Sequence, residues 1–403
     1  MKDKKIRKNE ALLCFGGWAS RIGNIIFDYA NSISIVGAFT SKPWILALYQ
    51  SSETIIQVIF NLVGGAKADK GNRKRIVIIT DLLSAIICGF LSFFVGSSLM
   101  AQVMIIANAL LALVYAFNSP TYKSLIREVI EKDRIGVFNS IAHAGSEIIR
   151  VVGPIIGVGL VGLIGVRGAL IFNALTFLVS AIAEAFLTKV IDDSLSSKKK
   201  SGILSDIAEG FKYLFMEKEI LFLIILSSMV NFFLAGYNLL LPYTDVIYSS
   251  LGRNFYSKAL VMEAVGGIIG SFIFTKAINK FRDNVLALIL FLLGTGTSLA
   301  LEPVAALINN YYICLIPFAL FGMLLTAFNI QFMSYVQVAV NECFLGRVFS
   351  IIFTVAVLLM PVGSFFFSAF MNMGDVNSFC MVGGGIMILS AISILIHSFL
   401  QKK

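Results

Sequence analysis

Apolar runs of bilayer-crossing length alternate along this chain with short polar segments. A helix needs about 20 apolar residues to cross the hydrocarbon core. Twelve runs of roughly that length occur, at approximately 12–36, 44–66, 76–97, 100–118, 139–163, 168–188, 219–242, 257–277, 285–303, 309–333, 348–370 and 376–399. A membrane β-barrel would show alternation over segments of about ten residues instead. That alternation is missing, so the pattern predicts helices, which satisfy their own backbone groups in lipid. The longest hydrophilic interruption, 190–218, follows the sixth run and opens with two aspartates and three consecutive lysines. It predicts an N-terminal six-helix bundle at 1–189, a linker at 190–218 and a C-terminal six-helix bundle at 219–403.

The two halves carry traces of one another. A shift of 211 residues aligns Ala116-Phe117-Asn118 with Ala327-Phe328-Asn329, Val129 with Val340 and Glu131 with Glu342. It also aligns Val137-Phe138 with Val348-Phe349 and Ile141 with Ile352, giving 8 identities over 26 positions, where chance gives about two. Both windows run from the end of an even-numbered span into the next odd one, so the repeat is parallel. The fold class expected is an all-α membrane protein with twelve transmembrane helices in two pseudo-symmetric six-helix bundles. Secondary transporters use such an arrangement, with the solute site near the bilayer midplane at the repeat interface.

Composition agrees with a membrane protein. Of 403 residues 58% are hydrophobic and 14% charged, against about 25% charged in soluble domains. The net charge of +9 is a topology signal, not a nucleic-acid surface. With the N-terminus inside, the inner segments hold 26 Lys and Arg and the outer ones 4 (Lys42, Arg167, Arg253 and Lys258), while Arg21 and Arg150 lie within spans. This is the positive-inside bias, so both termini are expected in the cytoplasm of a bacterial cell. The first apolar run is too long for a signal peptide and contains Arg21 and Asp28, so it reads as a retained span. Five scattered cysteines make neither a disulfide framework nor a zinc spacing. No nucleotide-binding or hydrolase motif is present. The chain is therefore expected to be neither an enzyme nor a holder of a cofactor or metal, and its partners are membrane lipids, a small solute and protons. A monomer is expected.

Charge inside a span is the best pointer to function. In the first span Arg21, Asn24, Asp28 and Asn31 share one helical face, and in the second Gln50, Glu53, Gln57 and Asn61 do so. Two polar stripes on adjacent helices predict the wall of a water-filled cavity. Asp28 and Glu53 are candidates for binding a proton or a cationic solute, with Arg21 as the local partner of Asp28; a static Arg21–Asp28 pair is the plainer alternative. Glu263 is a gate or cavity candidate, and Asn231, Phe232 and Tyr237 are candidates for an amphipathic cavity wall. Glu147 and Arg150 are expected to neutralise one another at i,i+3 spacing. Asp81 and Glu184, near span ends, are expected to be solvated.

The loop after the second span contains Gly65, Asp69, Lys70, Arg73 and Lys74. It resembles the G-x-x-x-D-R-x-G-R-[RK] signature of the major facilitator superfamily, with Lys70 in place of the usual Arg and Asn72 in place of the second Gly. The resemblance implies a conformational latch, in which a carboxylate at a helix end pairs with neighbouring basic groups in one state and releases them in another. The plainer reading is a topology signal. Gly153, Pro154 and Gly157 resemble the G-P-x-x-G-G motif of antiporters in that superfamily, with Val158 at the last position; the alternative is packing alone. Asn139-Ser140 onward, with Gly346-Arg347-Val348 and Met360-Pro361, is similar to the macrolide-efflux branch, and siderophore exporters and lysophospholipid transporters look broadly similar. Span 4 lacks the relay Arg that many relatives carry there.

These features imply a proton-coupled exporter of hydrophobic or amphipathic, cationic small molecules working by alternating access. The runner-up is an exporter or flippase of a lipid-like or siderophore-like metabolite. An intramembrane lipid-modifying enzyme would need acidic or His motifs at membrane-facing loops, which here offer mainly Lys and Arg. The topology is testable with single cysteines at Ser197 and Ser250 in a cysteine-free background. An impermeant thiol reagent on intact cells should label position 250 and spare position 197; the reverse pattern would invert the assigned orientation.

Overall fold

The computed structural model of the chain describes residues 2–68, 72–190, 203–252, 254–281, 284–340 and 345–401. Among them there is no β-strand, and the long helices are α1 (Lys2–Phe39), α2 (Pro43–Ala68), α3 (Arg73–Ser92), α4 (Met100–Val129) and α5 (Lys132–Ala185). After the amphipathic α6 (Ile203–Met216) come α7 (Lys218–Leu240), the single turn α8 (Thr244–Ile247), α9 (Phe255–Phe281) and α10 (Val285–Ala300). The short α11 (Glu302–Leu307), then α12 (Ile316–Ala339), α13 (Leu345–Leu358), α14 (Met360–Phe370) and α15 (Ser378–Gln401) complete the order.

Nine helical stretches among the described residues are long and apolar enough to cross a membrane. Three runs separate this number from the twelve of the sequence: the second is not among the nine stretches, and the other two differences have local causes. The runs at 139–163 and 168–188 both lie in α5, which is interrupted only at Gly165, with φ 70° and ψ 176°. That backbone region is essentially closed to residues with a Cβ, so the glycine separates two helical arms. The run at 348–370 is divided at Leu359 between α13 and α14. Pro361 sits in the first turn of α14, where its missing N–H costs nothing but where it cannot extend the ladder from α13. The second run, at 44–66, falls within α2.

The chain forms two compact units, one of residues 1–38 with 49–203 and the other of residues 39–48 with 204–403. In the first unit α3 packs against α4 and α5, and α1 lies along both arms of α5. A methyl group built on Gly153 would lie 2.7 Å from Ile25 Cδ1, and one on Gly157 3.7 Å from Tyr29 Cβ. Gly23 of α1 in turn meets Asn173 and Thr176 of the second arm. The glycine–proline motif is thus the seat of α1. A core containing Leu13, Val77, Leu125, Val129, Phe138 and Leu187 closes the end of this unit that carries the N-terminus.

The second unit is built on a cluster from α7, α10, α12 and α13, including Leu223, Leu288, Leu292, Phe332, Val336 and Val348. Its closest helix crossing is between α9 and α12. Gly266 and Gly270 of α9 face the carbonyls of Ala319 and Met323, and Gly322 of α12 faces the carbonyl of Glu263. Small residues four apart let backbones approach where packing alone drives association in lipid. Gly266→Val would force a side chain into the Ala319 carbonyl, at a cost of about 1–3 kcal/mol or more. Its thermal unfolding midpoint in detergent should fall clearly below wild type, whereas Gly159→Ala, where a new methyl meets nothing within 4 Å, should leave it unchanged or raised.

Candidate functional site

The polar stripes of α1 and α2 meet around a cavity of about 440 Å³ inside the first unit. Arg21, Asn24 and Asp28 of α1 and Glu53 and Gln57 of α2 line it. So do residues that the stripes did not include: Asp81 and Ser84 of α3, and Asn108, Tyr115 and Asn118 of α4. A second cavity of about 280 Å³ adjoins it, because the two share Ser20, Arg21, Asn24, Asp81, Tyr115 and Asn118 as wall.

Hydrogen bonds fix the wall. The Tyr49 hydroxyl donates to Asp28 Oδ1 at 3.4 Å and accepts from Asn31 Nδ2 at 3.1 Å. Asn31 is therefore a buried support for the site, 0% exposed, and not part of its surface. Asn108 Nδ2 donates to the Tyr49 carbonyl at 2.9 Å, tying α4 to α2. Gln57 Nε2 donates to Glu53 Oε1 at 2.9 Å, the i,i+4 relation that helical spacing predicts. Asp28 keeps an exposed face toward the cavity. Arg21 makes no ion pair with it; among the described residues Arg21 has no salt bridge at all. The expected local pair is replaced by the Tyr49 contact because Arg21 and Asp28 are two turns apart on α1 and each reaches a different stretch of wall.

Asp81 and Glu184 differ from expectation. Far from being solvated, they are 6% and 3% exposed. The helices run past them: α5 continues to Ala185, while Trp18, Tyr122 and Ser180 enclose the same space. Asp81 Oδ1 accepts from Asn118 Nδ2 at 3.0 Å. Asn108 and Asn118 could have been found in the sequence, since Asn108, Leu111, Tyr115 and Asn118 form a face of α4 with an amide at each end.

Of the latch residues, Asp69 and Lys70 lie outside the described residues, and Gly65 belongs to the last turns of α2. Arg73 and Lys74 are held within the first unit. Arg73 donates to Glu128 Oε1 at 2.6 Å, and Lys189 reaches Glu128 Oε2 at 3.2 Å. Lys74 Nζ donates to the carbonyls of Ala185 at 2.7 Å and Leu187 at 2.8 Å, a cation on the free carbonyls of a helix C-terminus. Asn9 of α1 closes the same cluster by donating to the Val129 and Thr188 carbonyls, each at 2.8 Å. Glu128, which anchors two basic groups, was missed because it sits in a charged stretch that reads as topology signal. The side chain of Glu147 lies outside those described, so its expected pairing with Arg150 does not enter the site.

In the second unit the structure brings two separately chosen residues together: the Tyr237 hydroxyl donates to Glu263 Oε2 at 2.7 Å. Tyr237 is 2% exposed, its ring 4.2 Å from that of Phe321, so it is a core residue and not an open wall. Phe232 packs against Phe233, Phe366 and Phe367 at 5.3–5.5 Å. Asn231 turns back on its own helix, donating to the Ser227 carbonyl at 2.9 Å.

A helical membrane protein with a polar, acid-lined cavity defines a transporter-like class, and comparison with known proteins gives the family. The family model described as Major Facilitator Superfamily matches residues 13–364, and the chain belongs to that superfamily. It is 24% identical over 361 residues to the uncharacterized MFS-type transporter YkuC of Bacillus subtilis (strain 168), covering 85% of this chain and 80% of that protein. It is 20% identical over 387 residues to macrolide efflux protein A of Streptococcus pyogenes, covering 93% of each. Among solved structures, a bacterial homologue of the iron transporter ferroportin in an inward-facing state superposes with a TM-score of 0.73 at 17% identity, over 96% of this chain and 98% of that one. The nucleoside transporter NupG does so with a TM-score of 0.76 at 13% identity, over 96% and 99%. These last likenesses establish the fold. The protein is a membrane transporter and not an enzyme.

The Arg73–Glu128 contact is nearly out of solvent, with side chains 20% and 8% exposed. A double-mutant cycle of Arg73→Met and Glu128→Gln, read from unfolding in mixed micelles, should give a coupling of about 1–3 kcal/mol. Additive single effects would show that the contact contributes nothing to the stability of this unit.

Proposed function

We propose that this chain exports hydrophobic or amphipathic, cationic small molecules across a bacterial cytoplasmic membrane, driven by the proton gradient and working by alternating access. One observation carries the reading: Asp28 and Glu53, from two different helices, line the same cavity, and neither is neutralised by a salt bridge. Carboxylates on a wall that also offers Phe27, Leu111, Ala112 and Phe177 suit a solute with an apolar body and a positive group. The likeness to macrolide efflux protein A supports the outward direction. The twelve-span count, the inside location of both termini and the latch role of Gly65, Asp69 and Lys70 belong to the same proposal.

The two acids have different surroundings and so different roles. Glu53 is bonded along its own helix by Gln57 and is assigned the proton. Asp28, held by one long contact from Tyr49 and open to the cavity, is assigned the positive group of the solute. In proteoliposomes with an imposed pH gradient, Glu53→Gln should abolish accumulation of a lipophilic cation such as ethidium while leaving binding intact and independent of pH. Asp28→Asn should weaken ethidium binding about tenfold or more, equivalent to about 1.4 kcal/mol, with little effect on neutral solutes. Uphill accumulation by Glu53→Gln would remove Glu53 from coupling and make Glu263 the next residue to test.

A further inference from the structure

A groove of about 270 Å³ runs between α3 and α4, and none of its residues lines the solute cavities. Ile86 and Phe90 of α3 and Ile106 and Leu110 of α4 form its exposed rim, and the buried Leu91 and Ala107 complete the wall. Every side chain on it is apolar. Both helices are long and apolar enough to cross a membrane, so in a membrane transporter the groove opens onto lipid.

One end of the groove lies beside a cation. Arg167, just past the break at Gly165, donates from Nε to the Ser92 carbonyl at 3.1 Å and from Nη2 to the Val95 carbonyl at 3.2 Å. Its guanidinium therefore sits at the end of α3 that carries Phe90 and Leu91. Capping the last turn of α3 is the plainer role, and a cation is favourable there. That role occupies two of the five guanidinium donors. The side chain is exposed and makes no salt bridge among the described residues. No acidic residue occurs in 82–122 or 151–183, the stretches that build this part of the unit. The charge is thus left without a carboxylate from its own chain, next to a groove that suits a hydrocarbon.

We propose that the groove and Arg167 form a binding site for an anionic glycerophospholipid. One acyl chain lies between α3 and α4, and the phosphate takes the free guanidinium donors, which match its oxygens in number and geometry. Charge complementarity selects this occupant. A zwitterionic lipid fills the groove equally well but brings its own cation to the headgroup, and an apolar protein surface would leave Arg167 facing nothing. The site does not depend on the roles given to Asp28 and Glu53. Occupancy ties α3, α4 and the second arm of α5 together through one ligand, which makes this unit responsive to the lipid composition around it.

The test is cross-linking on the purified full-length chain in phosphatidylcholine nanodiscs. A trace of phosphatidylglycerol with a diazirine in one acyl chain is the probe, and phosphatidylcholine with the same chain is the comparison. Labelled peptides are mapped by mass spectrometry. In wild type, labelling of 86–110 by the glycerol lipid should exceed that by the choline lipid about fivefold, the size of one basic residue's interaction with anionic lipid. Arg167→Lys should keep this preference, and Arg167→Gln should abolish it. Ile106→Trp, at the exposed rim, should remove the excess by filling the groove. If Arg167→Gln does not fold, wild type and Ile106→Trp still decide, through the preference and its dependence on the groove. Equal labelling by both lipids in wild type, or a preference that survives Arg167→Gln, would overturn the site. So would loss of the preference on adding soluble glycerol phosphate, which would make Arg167 a site for a free anion. Absence of labelling at 86–110 by either lipid would also overturn it, because protein would then cover the groove.

Discussion

The cost of keeping an ionised carboxylate away from bulk water governs how both units are assembled. That cost runs to several kcal/mol per group even after relaxation, so each acid among the helices has to be met by something. In the second unit the answer is a phenol: Tyr237 donates to Glu263, Tyr248 to Glu302 and Tyr335 to Glu219. Near the start of α3 the answer is a cation, with Arg73 and Lys189 on Glu128. In the middle of the first unit the answer is space, because Asp28, Glu53, Asp81 and Glu184 face cavities. The three solutions have different uses. A tyrosine or arginine partner makes an acid part of the architecture, whereas an acid facing a cavity is free to be satisfied by something that comes and goes.

The same distinction shows how the two repeats have diverged. The 211-residue correspondence is best preserved where α4 leads into α5 and α12 leads into α13. Asn118 and its counterpart Asn329 lie in that window. The cavity acids lie outside it, on α1, α2, α3 and the far arm of α5. The first unit turns four of its acids to cavities, whereas Glu219, Glu263 and Glu302 of the second are each held by a tyrosine.

Much of this was legible in the sequence, and the limits have physical causes. Helix type, apolar faces and the meeting of the α1 and α2 stripes follow from composition and from a period of 3.6. So does the placement of Asp28, Glu53 and Gln57 on one wall. What resisted reading depends on helix ends and on distant partners. Asp81 and Glu184 sit near the ends of apolar runs, and an apolar run does not reveal that Trp18, Tyr122 and Ser180 close over its end. The partnership of Arg73 with Glu128 spans 55 residues and leaves no periodic trace. Tyr237 and Glu263 were each singled out, but their contact could not be, since side chains 26 residues apart meet only once α7 and α9 are placed. The break at Gly165 was legible, since it falls in the gap between the runs at 139–163 and 168–188, and φ and ψ assign it to that one residue.

The glycine seam between α9 and α12 has a mechanical consequence. Backbone carbonyls rest where side chains would otherwise stand, in both directions across the crossing, so the two helices interlock like matched teeth. Sliding one along the other by a fraction of a turn would drive Ala319 or Met323 into a neighbouring side chain of α9. The pair therefore behaves as a stiff beam, and α12 carries Gln331 and Tyr335, whose contacts to the Asn284 carbonyl and to Glu219 fasten it to the start of α10 and to α7. From the Glu263 carbonyl to Tyr335, α12 is thus held by close packing at one end and by hydrogen bonds to its neighbours at the other.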